Sequence, residues 1–375
     1  MKIVYLVTSL SMGGAELQVI RIASKMAKSK SNSVIYVSMI PHTSEQLVKK
    51  LSKYNIRYFS LNMVRGKASI KAYIKFINFI KEEQPDVIHS HMVHANLLLR
   101  LASPFIRCPM RINTVHGEEE YLGKRSLAYK VTDRFVNYTV FCSNTLLQRA
   151  LDKKIVTLSR ALMIYNGIDI NAYNINSDLR KRYRDKYGIR DDCFVWMTVG
   201  RLERVKNYTF LLEEFHKVCN ESKKIILIFI GDGSERGELE KLAKMKGIEK
   251  QVIFLGLQQN VDELLNMADA FVLSSIHEGM PLSLQEAASM RLPLIATNVG
   301  GCNEIIQEGV NGFLCESNVD GTIANAMLKL MKFSKEELAQ MKSESRNIVE
   351  EKFRMDIVMK KWEILYEGKK YSSDM

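Results

Sequence analysis

Short runs of β-branched and aromatic residues alternate along the chain with longer segments whose apolar positions recur every three or four residues. The runs Ile3–Val7, Val34–Met39, Asp86–Ser90, Arg111–Val115 and Thr139–Cys142 predict strands, and the amphipathic stretches between them predict helices. This rhythm pauses at the turn-rich segment Met163–Asp169 and the charged segment Arg180–Lys186. It resumes with Phe194–Val199, Lys224–Ile230, Val252–Leu255, Ala270–Leu273 and Leu294–Thr297. Alternation of this kind builds parallel sheets covered by helices, here twice in succession. The fold class is therefore α/β, with two Rossmann-like parallel-sheet domains in tandem. Such sheets bind ligands beyond the carboxyl ends of their strands, and two facing sheets would form a cleft for a donor and an acceptor.

Composition narrows the class. A chain of 375 residues with 46% hydrophobic content can fill more than one core, and six prolines with no repeat argue against disordered and solenoid architectures. The first apolar run breaks within ten residues and enters a glycine turn, so it reads as a strand rather than a leader peptide. The longest other apolar stretch, Ile225–Ile230, is far shorter than the roughly 20 residues of a membrane span. Six scattered cysteines without a C-x-x-C pair fit reduced core thiols of a cytoplasmic protein. The net charge of +12 is unevenly placed: residues 1–165 hold 25 lysines and arginines against 10 acidic side chains, the remainder 29 against 32. A basic first half facing something anionic is expected, whether nucleic acid, an anionic lipid surface or a phosphorylated substrate.

The unusual residues collect after the predicted strand ends. Gly13 and Gly14 follow the first strand, where backbone can approach a phosphate closely, although the G-x-G-x-x-G spacing is absent. The cluster His89-Ser-His91-Met-Val-His94 has no neighbouring carboxylate or thiolate to complete a metal set, so no metal is expected. His116 closes a strand before Gly117 and three glutamates, a position open to a catalytic, sugar-binding or merely capping imidazole. Arg201 and Lys206 place two cations after another strand, suited to a diphosphate. Gly231-Asp-Gly-Ser-Glu235 is a further glycine-rich strand end. In the string from His277 to Ala287, Pro281 suits the first turn of a helix, whose free N–H groups and positive dipole end would favour an anion near Glu278 and Gly279. Read instead as a hydrolase pair, Glu278 and Glu286 lie eight residues apart, about 12 Å along a helix. Hydrolase carboxyl groups stand about 5–9.5 Å apart, so the spacing disfavours that reading, although long side chains narrow the gap.

These motifs together, in this order, resemble the retaining glycosyltransferases of family 4, which have the GT-B fold. The resemblance covers most of the chain: Gly13-Gly14, His116-Gly117, Tyr165-Asn-Gly-Ile-Asp169, Gly200-Arg201 with Lys206-Asn207, Gly231–Glu235, and the E-x7-E element from Glu278 to Glu286. It implies an acceptor-side domain over 1–165, a nucleotide-sugar domain over 166–355 and a C-terminal helix, 356–375, packing on the first domain. It also implies that Arg201 and Lys206 hold the donor diphosphate, assisted by backbone from Gly279, Met280, Pro281 and Leu282 and by the Gly13-Gly14 turn. Glu286 would accept from the ribose hydroxyls, Glu278 would contact the transferred sugar, and His116 would face that sugar. The donor is a nucleotide-sugar substrate, UDP-linked by preference, and no cofactor is expected. Bacterial members of this type build O-antigen, capsule or exopolysaccharide on a polyprenyl-diphosphate-linked acceptor. That implies a cytoplasmic protein peripheral at the anionic inner face of the membrane, with no nucleic-acid partner. The basic first half fits: Lys67, Lys71 and Lys75 recur every four residues, Ile70, Ile74, Ile77 and Ile80 follow apolar helical spacing, and Tyr121, Lys124, Arg125, Tyr129, Lys130 and Arg134 mix aromatics with cations. Other classes share part of this pattern, namely a sugar-nucleotide epimerase or phosphorylase of the same architecture, a non-catalytic sugar-binding subunit, and a nucleic-acid-binding protein, for which no recognised module is present.

Overall fold

A computed structural model of the chain describes residues 1–10, 13–42 and 45–369. Ser11 and Met12 of the first glycine loop, and positions 370–375 of the C-terminal segment, lie outside the described residues. The chain divides into two units, one comprising Met1–Gly167 with the segment from Asp356 onward, the other Ile168–Met355.

In the first unit, strands β1 (Lys2–Val7), β2 (Ser33–Ser38), β3 (Arg57–Ser60), β4 (Val87–His91), β5 (Met110–Val115), β6 (Tyr138–Phe141) and β7 (Ala161–Met163) form a sheet of order β3-β2-β1-β4-β5-β6-β7. In the second, β8 (Phe194–Val199), β9 (Ile225–Ile230), β10 (Val252–Phe254), β11 (Ala270–Leu273), β12 (Leu294–Thr297) and β13 (Gly312–Cys315) are ordered β10-β9-β8-β11-β12-β13. Every ladder between these strands is parallel. Central strands are apolar on both faces because helices cover both sides. Ile3 to Val7 are fully buried, as are Val195, Trp196 and Met197. The first core joins Val4, Leu6, Ile35, Val37 and Ile88 to Phe76 and Leu99. The second joins Trp196, Leu227, Phe229 and Val272 to Leu211, Phe215 and Met327.

The structure departs from the sequence reading in several places. β3, β7 and β13 were not expected, and all three are edge strands. Each is three or four residues long and two are only partly buried, so they lack the long apolar run of a central strand. The helix Ile70–Glu83 starts after its N-cap Ser69, leaving Lys67 outside it. Its buried face is Ala72, Phe76, Ile77, Phe79 and Ile80, whereas Ile70 is 80% and Ile74 50% exposed. Phe76 and Phe79 take the core-facing positions, turning the two early isoleucines outward. The charged segment Arg180–Lys186 belongs to the helix Ser177–Lys186, whose buried Arg184 donates to the Met267 carbonyl (2.9 Å) and to Asp269 (2.7 Å). Asp269 also accepts from Arg180 and from the Val195 N–H, which fastens this helix beside β8 and β11.

The C-terminal helix Met355–Tyr366 contributes Trp362 and Tyr366 to the core of the first unit, where Tyr366 contacts both His89 and Tyr5. Among the described residues no helix is long and apolar enough to cross a membrane.

Candidate active site

In the second sheet the chain order reverses between β8 and β11, and the loops leaving these two neighbours carry most of the predicted donor residues. The loops are stitched together through backbone. Ser274 Oγ donates to the Lys206 carbonyl (2.8 Å), and the Ile276 N–H donates to the Val205 carbonyl (2.8 Å). Lys206 Nζ then reaches Glu278 Oε1 at 2.6 Å, and Ser275 Oγ donates to the same oxygen at 2.6 Å. Thr297 Oγ1 fixes Ser275 by donating to its carbonyl (2.6 Å). The Lys206 and Glu278 side chains are only 16% and 11% exposed. Burial alone would lower the Lys206 pKa, but the Glu278 carboxylate outweighs it and holds the ammonium above the usual lysine range. Arg201, on the same loop, is exposed and has no ion pair among the described residues.

Two glycines let the loops after β9 and β12 close on those after β8 and β11. Gly231 has φ +137°, and a β-carbon there would overlap the Gly200 carbonyl oxygen; Gly300 has φ +53°, and a β-carbon there would overlap the Glu278 carbonyl oxygen. The helix Leu282–Ser289 follows, with Glu286 in its second turn and no side-chain cap. Pro281 is its N-cap, one residue before the expected place. Lacking an N–H, it cannot serve as an amide donor to a phosphate; its part is to fix the turn that points the following N–H groups outward. Met280 is buried, and the Gly279 carbonyl accepts from the Gly301 N–H (2.8 Å).

In the first unit, Gly13 is the extended N-cap of the helix Gly14–Met26, again without a side-chain cap bond. Glu16 in the first turn is buried, accepts from Ser9 Oγ (2.9 Å) and packs its carboxylate against Gly13. A negative charge thus already lies at this helix start, a feature the glycine motif does not announce.

His116 follows β5 directly. Its backbone N–H donates to Glu120 Oε1 (2.6 Å), and its Nε2 lies 3.1 Å from His91 Nδ1. Burial drives the His116 pKa down to about 4. It drives the Glu120 carboxyl up to about 8, against the His116 N–H and Tyr129 hydroxyl that favour the anion. Glu120 also accepts from Asn96 Nδ2 (3.3 Å). Of the three glutamates after Gly117, Glu118 instead pairs with Arg149 and Lys153. The sequence names His91 only within a cluster weighed for metal and Glu120 only within a run of acids, and it shows neither one's contact with His116.

Two family models match the chain, "Glycosyltransferase Family 4" over residues 12–172 and "Glycosyl transferases group 1" over residues 180–348. The chain belongs to glycosyltransferase family 4. As a family 4 glycosyltransferase it is similar to the UDP-Gal:alpha-D-GlcNAc-diphosphoundecaprenol alpha-1,3-galactosyltransferase of Escherichia coli, 27% identical over 70% of each chain. It is also similar to the capsular polysaccharide biosynthesis glycosyltransferase CapM of Staphylococcus aureus, 25% identical over 80% of this chain and 81% of that one. Among solved structures, Anabaena Alr3699/HepE in complex with UDP and glucose superposes with a TM-score of 0.85 at 21% identity, covering 98% of this glycosyltransferase and all of that chain. The fold is GT-B. The motifs that carried the family resemblance therefore sit, in this enzyme, beyond the ends of β1, β5, β7, β8, β9 and β11.

Proposed function

We propose that this glycosyltransferase takes a UDP-sugar as donor and passes the sugar, with its anomeric configuration kept, to a sugar carried on a polyprenyl diphosphate, in the assembly of O-antigen, capsule or exopolysaccharide. The observation that carries the reading is the Lys206–Glu278–Ser275 cluster where β8 and β11 meet, with the exposed Arg201 on the same loop. A departing nucleoside diphosphate gains negative charge in the transition state, and fixed cations aimed at it stabilise that state more than the ground state. Arg201 and Lys206 serve the diphosphate, and the first N–H groups of the helix Leu282–Ser289 add its dipole. Glu286 takes the ribose hydroxyls and Glu278 those of the transferred sugar, while His116 is assigned to the sugar and the Gly13-Gly14 turn to the phosphate. With cations and a helix start supporting the leaving group, the reading needs neither metal nor cofactor.

Glu278 is held by Lys206 and Ser275, which suits a hydrogen-bond acceptor better than a nucleophile. In the proposed step the bond from the anomeric carbon to the diphosphate oxygen breaks. A bond to the acceptor hydroxyl forms on the same face, and the acceptor's proton passes to the departing phosphate. The E. coli relative's UDP-Gal donor and diphosphoundecaprenol acceptor support these choices.

The inner face of the cytoplasmic membrane is the proposed workplace. The helix Lys124–Thr132 leaves Leu127 67% and Val131 56% exposed beside Lys124, Arg125 and Lys130, the mixture of apolar and cationic groups that anionic lipid favours. A thermal-shift screen against UDP-, GDP- and ADP-sugars tests the donor assignment. UDP-sugars should raise the melting temperature in proportion to ln(1 + [L]/Kd), and stabilisation by GDP- or ADP-sugars alone would replace the donor.

A further inference from the structure

Behind His116 lies a row of aromatic side chains that no sequence motif assigns. Tyr366, from the C-terminal helix, donates to Tyr5 (3.1 Å) and is itself 2.6 Å from His89 Nδ1, while His89 Nε2 is 2.7 Å from Thr114 Oγ1. Both nitrogens of His89 are thereby engaged. The His91 ring lies against the His89 ring at 3.9 Å between centroids, and Trp362 flanks His89 on its other contacts at 4.6 Å. His91 is wholly buried at the end of β4, in register with Thr114 of β5, two residues before His116. Among the described residues the one polar contact of its side chain is Nδ1 to His116 Nε2 at 3.1 Å, and its Nε2 is buried without a partner there.

That arrangement dictates where the protons sit. Burial keeps both imidazoles neutral at pH 7, so each carries one proton and the shared contact holds one of them. An N–H at His91 Nε2 would be a buried donor with no acceptor, the rarer and costlier kind of orphan, whereas a bare lone pair there is tolerated more readily. The proton of His91 therefore belongs on Nδ1, which donates to His116 Nε2. The proton of His116 is left on Nδ1, for which no acceptor exists among the described residues, and His116 keeps part of its surface open.

We infer that His91 is a positioning residue that fixes the ring and tautomer of His116, so that His116 offers a neutral Nδ1–H donor to an oxygen of a sugar substrate and does not act as a base. This rests on the assignment of His116 to the transferred sugar.

Two substitutions separate the roles. In His91→Asn the amide nitrogen stands as many bonds from the backbone as Nδ1 and can still donate; His91→Leu has similar bulk and no donor. With UDP-sugar and a lipid-linked acceptor, His91→Leu should lower kcat about 10- to 100-fold with donor KM little changed, as loss of one hydrogen bond to the reacting group implies. His91→Asn should restore most of it. In the unsubstituted chain, 15N NMR of labelled histidines, with His116 assigned by its absence in His116→Gln, should show a protonated Nδ1 and a bare Nε2. A His116 proton on Nε2, full turnover in His91→Leu, or equal loss in folded His91→Asn and His91→Leu would overturn the inference. Absence of transfer by the unsubstituted enzyme from any nucleotide-sugar would count against the proposed function instead, leaving the NMR result to decide the tautomer.

Discussion

Lys206 and Glu278 hold each other in a nearly enclosed setting, and removing one charge has consequences of different size for folding and for catalysis. In Lys206→Met the aliphatic stem stays, but the Glu278 carboxylate, 11% exposed, keeps only the Ser275 hydroxyl. Losing one partner of a fully buried pair costs about 3–5 kcal/mol. Partial exposure of both side chains brings this to about 2 kcal/mol here, which lowers the melting temperature of a unit this size by roughly 4–8 °C. Adding Glu278→Gln removes the stranded charge, so the double variant should recover most of that loss. Its activity should not recover. A cation that serves the leaving diphosphate is worth about 2.7–4 kcal/mol, or 10²–10³ in kcat, by comparison with oxyanion donors. Differential scanning calorimetry together with kcat and KM for UDP-sugar, on both single variants and the double, reads the two effects separately. A double variant no more stable than Lys206→Met would refute the stranded-charge argument, and wild-type kcat in Lys206→Met would remove Lys206 from the diphosphate.

Three further outcomes are expected. Glu286→Gln should weaken UDP binding by calorimetric titration, whereas Glu278→Gln should lower turnover with little change in UDP affinity; equal effects on UDP affinity would end that division of roles. The Glu120 carboxyl titrates near 8 when folded and near its ordinary value when unfolded, so it favours the folded state at low pH and that advantage is lost as pH rises from about 4.5 through about 8. The stability difference between wild type and Glu120→Gln, from urea melts, should fall by a few kcal/mol across this window, and a difference that rises with pH would contradict the buried, protonated carboxyl. Finally, binding to phosphatidylglycerol vesicles should weaken with salt and with Lys124, Arg125 and Lys130 replaced by Glu, while UDP affinity is kept; equal binding to neutral vesicles would remove the electrostatic attachment.

What the sequence disclosed follows from how each feature is encoded. Central strands such as Ile3–Val7 and Ile225–Ile230 are apolar on both faces and announce themselves, whereas the edge strand Arg57–Ser60 carries no such run. Loop residues at strand ends were visible because glycines and cations there break the local pattern, which located Arg201, Lys206 and Glu278 beyond strand ends. The pairing of Lys206 with Glu278 was not visible, since 72 residues separate them and only the adjacency of β8 and β11 unites them. Pro281 shows the limit of motif reading: the string implied a row of amides, yet one member has no N–H to give. His91 and Glu120 were hidden for a different reason. Their importance lies in what they touch, His116 Nε2 and the His116 N–H, and a single sequence holds no record of contacts.

The proposed reaction is transfer from a UDP-sugar with retention, driven by the chain's own cations. It is tested most directly by incubating the enzyme with a UDP-α-sugar and a GlcNAc-diphosphate-lipid acceptor in the presence of EDTA, then reading the anomeric proton coupling of the product by NMR. An α-linked product formed at the same rate with and without EDTA is predicted. A β-linked product would contradict the retaining step, loss of activity restored by a divalent ion would contradict the role given to Arg201 and Lys206, and release of free sugar without transfer would contradict the proposed reaction itself.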